Sequence, residues 1–367
     1  MKFVFIEPFF GGSHRDFAKG LISHSRYRIE LFTLPARFWK WRMRGAALYF
    51  AKKISLLNQY DGIITTNLMS LSDFRALREN GCPPALVYFH ENQLTYPLAP
   101  AERMDYQFGF TDITTALAAN RIIFNSCTHF DAFFSLIPGF IGMMPEYQPK
   151  WVIDAIRAKA DVIYPGCRFP ATTPKLKALP LSADETPLII WNHRWEFDKN
   201  PEDFFHALNA VLKKNLDFHL ALLGENFQTV PKAFLAAKDQ YKKRIVRYGY
   251  EKSKEKYRKW LQRGAIVIST ARQENFGISV VEAIRSGCIP LLPHRLSYPE
   301  IIPAEYHDDF LYKDQADLID KLTFVLTHLK SLESKREQIS NAMGRYAWAN
   351  CIDRYDHELE RLSRLKS

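Results

Sequence analysis

Short apolar runs recur along the chain and are separated by longer stretches in which apolar residues fall three or four positions apart. The runs predict buried strands, and the wider spacing predicts amphipathic helices between them. In the first half the strand-like runs are 2–6, 62–66, 85–89, 121–125 and 161–164. In the second half they are 188–191, 218–223, 244–248, 265–270 and 289–292. These two series predict two doubly wound, Rossmann-like α/β domains with parallel sheets, whose ligands bind beyond the carboxyl ends of the strands.

A proline-rich stretch separates the two series. Residues 169–187 contain four prolines and few large apolar side chains, which is typical of an interdomain linker. We therefore predict an N-terminal domain over residues 1–168 and a C-terminal domain over residues 188–344, with the sheets facing an interdomain cleft. Apolar spacing from Asn341 to Leu365 predicts a further helix. We expect the segment 345–367 to pack back on the N-terminal domain.

Two carboxylates follow the apolar run 265–270. Glu274 lies in a predicted loop, and Glu282 lies in a predicted helix that Gly287 ends. Eight helical residues span at most about 12 Å, which is too far for both carboxylates to act on one bond. The spacing suits the two ends of an elongated ligand, such as a nucleotide-sugar, whose negative charge faces the helix N-terminus. A solvated helix with two ordinary glutamates would show the same pattern.

Two cations follow the first strand of the second half. Arg194 and Lys199 flank a short loop, and Pro201 suits the first turn of a helix. Cations beside a helix start can bind a diphosphate, although a solvated loop would contain similar residues. Because this loop and the 274–282 stretch both follow strands of one predicted sheet, we expect them to converge.

Glycines and a histidine follow strands of the first half. Gly11 and Gly12 predict a turn where backbone can approach a ligand, or a tight turn alone, and Ser13 is the predicted cap of a helix that begins near Asp16. His90 follows a middle strand at the same predicted sheet edge. A histidine there can be structural or can contact a ligand.

The chain is basic, and one N-terminal stretch is rich in positive charge. The formal net charge is +10, which fits a nucleic acid, an anionic membrane or a nucleotide as partner, or solubility alone. Residues 19–53 hold nine Lys and Arg against one acid, and residues 35–44 interleave these bases with aromatic side chains. Such a stretch can stack bases and neutralise phosphates, lie on an anionic membrane, or pack its tryptophans inward. The candidate nucleic-acid-binding residues are Arg37, Trp39, Lys40, Trp41, Arg42 and Arg44.

Several classes of protein are disfavoured. Five dispersed cysteines without C-x-x-C spacing predict neither a disulfide framework nor a zinc site. The N-terminus runs directly into a strand and lacks the pattern of a signal peptide, and no apolar stretch approaches the length of about 18 residues that a membrane span needs. We expect a cytoplasmic protein without a membrane span.

The order of the motifs in the second half resembles a known family. Arg-x4-Lys, a strand and Glu-x7-Glu are similar to the retaining nucleotide-sugar glycosyltransferases of family four, which have the GT-B fold. Gly11-Gly12, His90 and Asn125-Ser126 agree with that family. Two positions depart from it: residues 164–167 lack the usual Asn-Gly, and Asn200 replaces the glycine that usually follows the lysine.

Four longer strings resemble a narrower group, the tRNA-queuosine mannosyltransferases. They are residues 7–14, 35–41, 89–97 and 192–196. The resemblance implies transfer of mannose from GDP-mannose to queuosine in the anticodon loop of tRNA for aspartate. Two alternatives stay open: the same donor chemistry on a lipid or glycan at a membrane surface, and a non-catalytic nucleic-acid-binding protein.

The resemblance also implies roles for residues of a nucleotide-sugar-binding C-terminal domain and an acceptor-side N-terminal domain. Arg194 and Lys199 would neutralise the leaving diphosphate. Glu274 would hold sugar hydroxyls, Glu282 would accept hydrogen bonds from the ribose, and His90 would contact the sugar. The implied donor-binding residues are Gly11, Gly12, Tyr248, Asn275, Phe276, Gly277, Ile278 and Glu282. The family reaction retains configuration without a protein nucleophile, and we expect neither a metal nor a cofactor.

Overall fold

The computed structural model describes residues 1–78, 81–98, 103–169, 186–225 and 230–366. The chain divides into two compact units, Met1–Arg168 with Tyr346–Ser367, and Phe169–Arg345. Each unit contains a parallel sheet of six strands, so the predicted α/β class with two parallel sheets is confirmed. Most of the predicted linker, at residues 170–185, lies outside the described residues. None of the helices within the described ranges is long and apolar enough to cross a membrane.

The helices and strands are numbered in chain order. The strands are β1 Lys2–Phe10, β2 Arg28–Pro35, β3 Gly62–Thr66, β4 Ala85–Phe89, β5 Arg121–Phe124, β6 Ala160–Val162, β7 Leu188–Trp191, β8 His219–Leu222, β9 Ile245–Tyr248, β10 Ile266–Ile268, β11 Ile289–Pro293 and β12 Leu311–Tyr312. The helices are α1 Gly12–His24, α2 Trp39–Lys53, α3 Leu71–Ala76, α4 Tyr106–Ala118, α5 Cys127–Gly142, α6 Val152–Arg157, α7 Pro201–Lys213, α8 Lys232–Gln240, α9 Lys254–Arg263, α10 Ile278–Arg285, α11 Tyr298–Ile301, α12 His307–Phe310, α13 Gln315–His328, α14 Glu333–Ala342 and α15 Trp348–Ser363.

The first sheet has the order β2-β1-β3-β4-β5-β6 and carries helices on both faces. Successive residues of β1 point to opposite faces, so Val4 and Ile6 join one apolar core while Phe3 and Phe5 join the other. The edge strand β2 was not predicted from the sequence. Its half-buried residues mix charges with apolar side chains, and the basic residues around it hid its strand pattern.

The chain returns to the first unit through α15. This helix lies against α1 and contributes Trp348, Tyr355 and Leu359 to the core that contains Phe3 and Phe5. Arg121 of β5 forms an ion pair of 2.7 Å with the buried Glu358 of α15. The single helix predicted over 341–365 is wrong, because α14 ends at Ala342 and the backbone at Ala347 is extended.

The second sheet has the order β12-β11-β10-β7-β8-β9. Its centre is formed by β7 and β10, which pair in parallel through Ile189 with Ile266 and Ile190 with Val267. The apolar residues of both strands are fully buried. The loops that follow β7 and β10 therefore leave the same edge of the sheet side by side, and these loops carry the two predicted motifs.

Candidate active-site residues

Lys199 and Glu274 come together at the carboxyl edge of the second sheet. Lys199 is 6% exposed, and its ammonium group donates to the backbone oxygen of Gln273 at 2.5 Å. The same nitrogen lies 3.4 Å from the Glu274 carboxylate and 3.2 Å from that of Asp198. A buried ammonium ion requires such neighbours, because its desolvation is otherwise very costly. The expected convergence of the two motif loops is therefore present.

The Glu274 carboxylate is held in its charged form. Burial alone would raise its pKa, but the nearby Lys199, His193 and Arg194 outweigh that effect and lower the pKa below its ordinary value. The Arg194 side chain is 40% exposed and forms an ion pair of 3.1 Å with Glu196. The site thus combines two cations with an ionised carboxylate, a set that can bind an anionic group beside a hydroxyl-rich one.

Asn200 stands where the resembled family usually has glycine, and its backbone conformation accounts for this difference. Its backbone is left-handed, with φ of 52° and ψ of 59°, in the conformation that glycine adopts most easily. Asparagine tolerates this region better than other non-glycine residues. Its side chain donates to Asp203 at 2.5 Å and accepts from Arg272 at 3.0 Å, which anchors the turn between Lys199 and α7. The replacement of glycine therefore keeps a left-handed turn at this position.

The loop before α10 also depends on a left-handed residue. Gly277 has φ of 95° and stands immediately before the first helical residue, Ile278. Phe276 is buried, and its backbone oxygen accepts a hydrogen bond of 2.8 Å from Ser297. The side chain of Asn275 accepts a bond of 3.0 Å from Gln273. Glu274 thus lies in the loop and Glu282 within the helix, as predicted.

Two residues that the sequence patterns did not single out lie near Glu282: Tyr257 contacts it directly, and Asn192 contacts Tyr257. Tyr257 of α9 is hydrogen-bonded to Glu282, and its hydroxyl accepts from the Asn192 amide at 3.0 Å. Burial, and next the charge of Glu282, raise the pKa of Tyr257 well above its ordinary value, so the hydroxyl keeps its proton and donates it to the carboxylate. Asn192 stands directly after β7, and that position was the available clue. Tyr257 lies on a charged helix whose sequence gave no such clue.

His193 is a further buried group beside these motifs. It is 2% exposed, and burial, followed by the charge of Lys199, lowers its pKa to about 4. Its Nδ1 lies 3.4 Å from the Ser279 hydroxyl. The imidazole is therefore neutral at neutral pH and supports the loop without adding charge.

Tyr248 occupies the end of β9 at the edge of the second sheet. Its hydroxyl donates to the backbone oxygen of Phe234 at 3.1 Å, and its ring meets Trp195 edge-on at 4.8 Å between centroids. The residue is held by α8 and by the loop after β7. Its predicted role in donor binding stays a prediction.

The first unit brings a different set of residues to its sheet edge. Gly11 precedes α1, and a side chain there would collide with Ala36, since the added carbon would lie 2.3 Å from the Ala36 methyl group. Gly12 has φ of 49° and is the first residue of α1. Ser13 therefore lies inside the first turn, and the prediction that it caps a later helix is wrong. His90 follows β4 and stacks on His14 with 3.9 Å between ring centroids.

Buried polar groups surround this edge. Glu7, His14 and His90 bring side-chain atoms of types that bind metals within 4.8 Å of one another. Asp112 of α4 is fully buried and accepts from the backbone of Gln93 at 2.7 Å and from Asn67 at 3.2 Å. Burial raises the pKa of Asp112 to about 7, even though both hydrogen bonds oppose the shift. Sequence patterns had singled out only His90 of this set.

The basic aromatic stretch forms the start of α2 and divides into two faces. Trp39 packs inward against Phe108, with ring centroids 5.1 Å apart, and Lys40 lies over the Trp39 ring at 5.5 Å. Trp41 is 78% exposed, and the neighbouring Phe38 is 69% exposed with a left-handed backbone. The most exposed aromatic residues of this stretch are therefore Phe38 and Trp41, while Trp39 is half-buried, and the predicted nucleic-acid-binding role of the stretch stays a prediction.

The arginines of this stretch are partly engaged within the unit. Arg44 donates to the Thr111 hydroxyl at 3.2 Å, and Arg42 donates to the backbone oxygen of Pro35 at 3.4 Å. Arg37 is exposed and lies 5.8 Å from the centroid of the Phe38 ring. Of these arginines, Arg37 therefore places a positive charge beside the exposed Phe38 ring.

Comparison with known proteins matches each of the two units to a protein family. Residues 2–167 match the family "tRNA-queuosine alpha-mannosyltransferase N-terminal", and residues 173–344 match "Glycosyl transferases group 1". A tRNA-queuosine alpha-mannosyltransferase of Drosophila melanogaster is 36% identical over 309 residues, which cover 82% of each chain. The chain belongs to the tRNA-queuosine alpha-mannosyltransferase family.

Other proteins resemble this queuosine mannosyltransferase family member at lower sequence identity. A GDP-mannose:cellobiosyl-diphosphopolyprenol alpha-mannosyltransferase of Xanthomonas oryzae pv. oryzae (strain PXO99A) is 24% identical over 176 residues, 46% of each chain. Among solved structures, sucrose-phosphate synthase from Thermosynechococcus elongatus has a TM-score of 0.75 at 14% identity and full coverage of both chains. The catalytic domain of starch synthase IV from Arabidopsis thaliana has a TM-score of 0.70 at 15% identity and 99% coverage of both chains. These structures establish the GT-B glycosyltransferase fold.

Family membership makes the chain a glycosyltransferase and gives the convergence at the second sheet a chemical interpretation. Arg194 and Lys199 are suited to a diphosphate, and the ionised Glu274 is suited to hydroxyl groups. Residues 7–14 and 89–97, which carry Glu7, His14 and His90, lie within the part of the chain that matches the queuosine-specific family. The general glycosyltransferase match covers the unit that holds Lys199 and Glu274.

Proposed function

We propose that this protein transfers mannose from GDP-mannose to queuosine in tRNA for aspartate, with retention of configuration at the sugar. The observation that carries the proposal is the 36% identity to the Drosophila enzyme over most of both chains. The convergence of Lys199, Glu274 and Arg194 at one sheet edge supports it, because a nucleotide-sugar presents a diphosphate next to a hydroxyl-rich ring.

In the proposed reaction the bond between the sugar and the diphosphate breaks, and negative charge grows on the diphosphate. Lys199 and Arg194 stabilise that charge, since cations fixed in advance act where charge develops. Lys199 is already oriented by Gln273 and Glu274, so little reorganisation is needed. The acceptor hydroxyl enters on the face that the diphosphate leaves, and a phosphate oxygen accepts its proton. Neither a protein nucleophile nor a metal ion is part of this proposal.

Recognition of the donor is divided between the two glutamates. The ionised Glu274 accepts hydrogen bonds from sugar hydroxyls. Glu282 accepts them from the ribose, in an orientation set by its bond to Tyr257. Backbone amides of Phe276 and Gly277 lie at the start of α10, where an anionic group is favoured.

We further propose that the tRNA meets the start of α2. Phe38 and Trp41 provide exposed aromatic faces on which unpaired bases can stack, and Arg37, Lys40 and Arg42 surround them with positive charge. Binding through such a surface weakens steeply as salt rises.

The direct test is incubation of the protein with GDP-mannose and with other nucleotide-sugars, each in the presence of total tRNA. Nucleoside mass spectrometry should then show one hexose added to queuosine with GDP-mannose. Transfer to other nucleosides, or the absence of any tRNA product, would contradict the proposal. A matched reaction with tRNA that lacks queuosine gives the control.

A second candidate is transfer to a lipid-linked acceptor. The Xanthomonas relative, named for a diphosphopolyprenol acceptor, matches 46% of the chain, and a basic aromatic surface can also bind anionic lipid. Sedimentation with anionic vesicles, compared with a tRNA gel shift at the same salt concentration, separates the two. Binding to vesicles but not to tRNA would favour the lipid acceptor.

A further inference from the structure

A buried carboxylate lies beside the two stacked histidines of the first unit. Glu7 is the sixth residue of β1 and has no exposed surface. Its carboxylate accepts from the backbone amide of Phe9 at 2.9 Å and from the Thr66 hydroxyl at 3.3 Å. Both of its oxygens also lie 3.3 Å from Nδ1 of His14. Burial of a charged carboxylate costs desolvation free energy, so it occurs only where hydrogen-bond donors match the charge.

The contact between Glu7 and His14 determines where the imidazole proton resides. An ionised carboxylate can only accept hydrogen bonds, so Nδ1 of His14 carries the hydrogen in this contact. That assignment fixes the tautomer and the ring plane of His14, as a carboxylate does for the histidine of other catalytic sites. Glu7 also compensates the charge whenever His14 takes up a second proton.

His90 is held against the face of the His14 ring. The two imidazole rings stack at 3.9 Å with 29° between their planes, and the rings of Phe17 and Tyr88 meet His90 edge-on at 5.2 Å and 4.8 Å. The backbone oxygen of His90 accepts from Asn125 at 2.9 Å. Orientation of the His90 ring therefore depends directly on that of His14.

The titratable groups around His90 come from three other elements. They are Glu7 of β1, His14 of α1 and His129 of α5, and the titratable Tyr88 of β4, the strand that His90 follows, also meets its ring. Burial lowers the pKa of His90 well below its ordinary value, and the positive charges that His14 and His129 can carry lower it further. Two stacked imidazoles share one proton far more easily than they hold two, since like charges at this distance repel. Glu7 favours His14 as the ring that takes it.

A metal ion is a poorer explanation of the same residues. Imidazole lone pairs lie in the ring planes, and two nearly parallel planes stacked 3.9 Å apart leave little space where one ion could lie in both planes at about 2.0–2.1 Å from each nitrogen. The Glu7 carboxylate already accepts bonds from Phe9, Thr66 and His14. The arrangement fits an oriented pair of imidazoles better than a coordination site.

We propose that Glu7 and His14 are positioning residues that orient His90 and keep it neutral for hydrogen bonding to a substrate hydroxyl. This inference rests on the proposed function for the identity of that hydroxyl, on mannose or on the acceptor. Glu7 anchors His14, His14 supports the His90 ring by stacking, and any proton that the pair acquires resides next to Glu7.

The test compares Glu7→Gln with a matched control, Thr65→Val. Glu7→Gln keeps the size of the side chain and one oxygen that can accept from Phe9, but it removes the charge and replaces the second acceptor oxygen by a donor. Thr65 is a fully buried neighbour on β3 whose hydroxyl donates to Ile6 at 3.0 Å and does not belong to the cluster. For Glu7→Gln we expect kcat for mannosyl transfer to fall by up to about 100-fold, with KM for GDP-mannose changed little. The acid limb of its pH–rate profile should also move. Thr65→Val should keep the profile of the unaltered protein.

A readout that does not need catalysis separates this inference from the proposed function. In protein with isotope-labelled histidine, NMR titration should show two coupled ring systems, identified with His14→Phe and His90→Phe. In Glu7→Gln the protonation of His14 should shift to lower pH, because the compensating charge is gone. If the protein transfers no mannose to tRNA but shows this coupling, the proposed function fails while the positioning pair is supported.

Two results would overturn the inference. One is a Glu7→Gln protein whose kcat, pH profile and histidine titrations all match those of the unaltered protein. The other is stoichiometric binding of Zn²⁺ by the unaltered protein, measured by calorimetry and lost in Glu7→Gln, which would make the cluster a metal centre.

Discussion

The polar edges of the two sheets are built in different ways. At the second sheet, residues close together in sequence form compact motifs, and pairing of β7 with β10 brings two motifs side by side. At the first sheet, the cluster of Glu7, His14 and His90 combines residues from three elements, and two separate sequence strings, 7–14 and 89–97, supply them. A site made of local motifs can be predicted from spacing, whereas a site made of scattered single residues becomes visible only after the strands are ordered.

The largest effect should come from the motif-based edge. Replacement of Lys199 by Met removes the buried cation that faces Glu274, so we expect kcat/KM for mannosyl transfer to fall by about 100- to 1000-fold. Melting temperature should fall as well, because Glu274 and Asp198 lose their partner. The control is Lys214→Met at an exposed lysine, which should leave both quantities nearly unchanged. Unaltered kcat/KM in Lys199→Met would remove the diphosphate role.

Buried histidines allow the stabilities of the two units to be compared by pH. Burial lowers the pKa of His129 in the first unit to about 3 and that of His193 in the second to about 4. Between about pH 6.5 and these lowered pKa values, the unfolded chain binds the protons and the folded chain does not. The free energy of unfolding should therefore fall as pH drops, by up to about 1.4 kcal/mol per pH unit for each histidine.

Denaturant unfolding at several pH values measures this dependence. His193→Gln in the second unit should reduce the slope of the unfolding free energy against pH by the contribution of one histidine. His206 is exposed, and His206→Gln should leave that slope unchanged. A slope that is the same in all three proteins would show that His193 does not titrate as its burial requires.

Two nearby tryptophans on α2 should behave in opposite ways. Trp41→Ala should weaken tRNA binding by about 1–3 kcal/mol, the contribution of one stacked base, without loss of stability. Trp39→Ala should lower the free energy of unfolding by about 2 kcal/mol, since Trp39 packs on Phe108. Gel shifts and thermal melts on both variants check this division. Equal losses of tRNA affinity without destabilisation would show that both rings face the partner.

Tyr257→Phe tests a residue that the motif alone does not contain. Loss of its hydroxyl removes the hydrogen bond to Glu282, so the dissociation constant of GDP-mannose should rise about fivefold, or about 1 kcal/mol. Glu282→Ala should raise it further, and the double variant should add little to Glu282→Ala alone. Calorimetric titration of the donor gives these values. Additive losses would separate Tyr257 from the ribose role of Glu282.

The smallest effect should come from Asn200→Gly. Asn200→Gly preserves the left-handed turn and should change stability by less than about 1 kcal/mol, while Asn200→Ala should destabilise the protein by about 1–2 kcal/mol. Thermal unfolding of both variants is sufficient. If alanine were tolerated as well as glycine, the backbone conformation would not be what selects this residue.

Most of the secondary structure could be predicted because buried parallel strands are short, apolar and separated by helices. The strand β2 could not, since an edge strand keeps polar residues that resemble a solvated segment. The break between α14 and α15 was also hidden: apolar spacing continues through it, while Cys167 pairs with Ala347 in an extended bridge. The start of α1 at Gly12 likewise depends on Gly11 packing against Ala36.

The sequence by itself determined the α/β class, the two series of strands, the family and the pair of motifs around Lys199 and Glu274. Those features follow from local patterns, which act over a few residues. The tertiary structure alone decided that Tyr257 bonds to Glu282, that Trp39 packs inward while Trp41 faces solvent, and that Glu7 meets His14 and His90. Each of these depends on contacts between residues distant in sequence or on which helix face is covered, and both are set by strand order and packing.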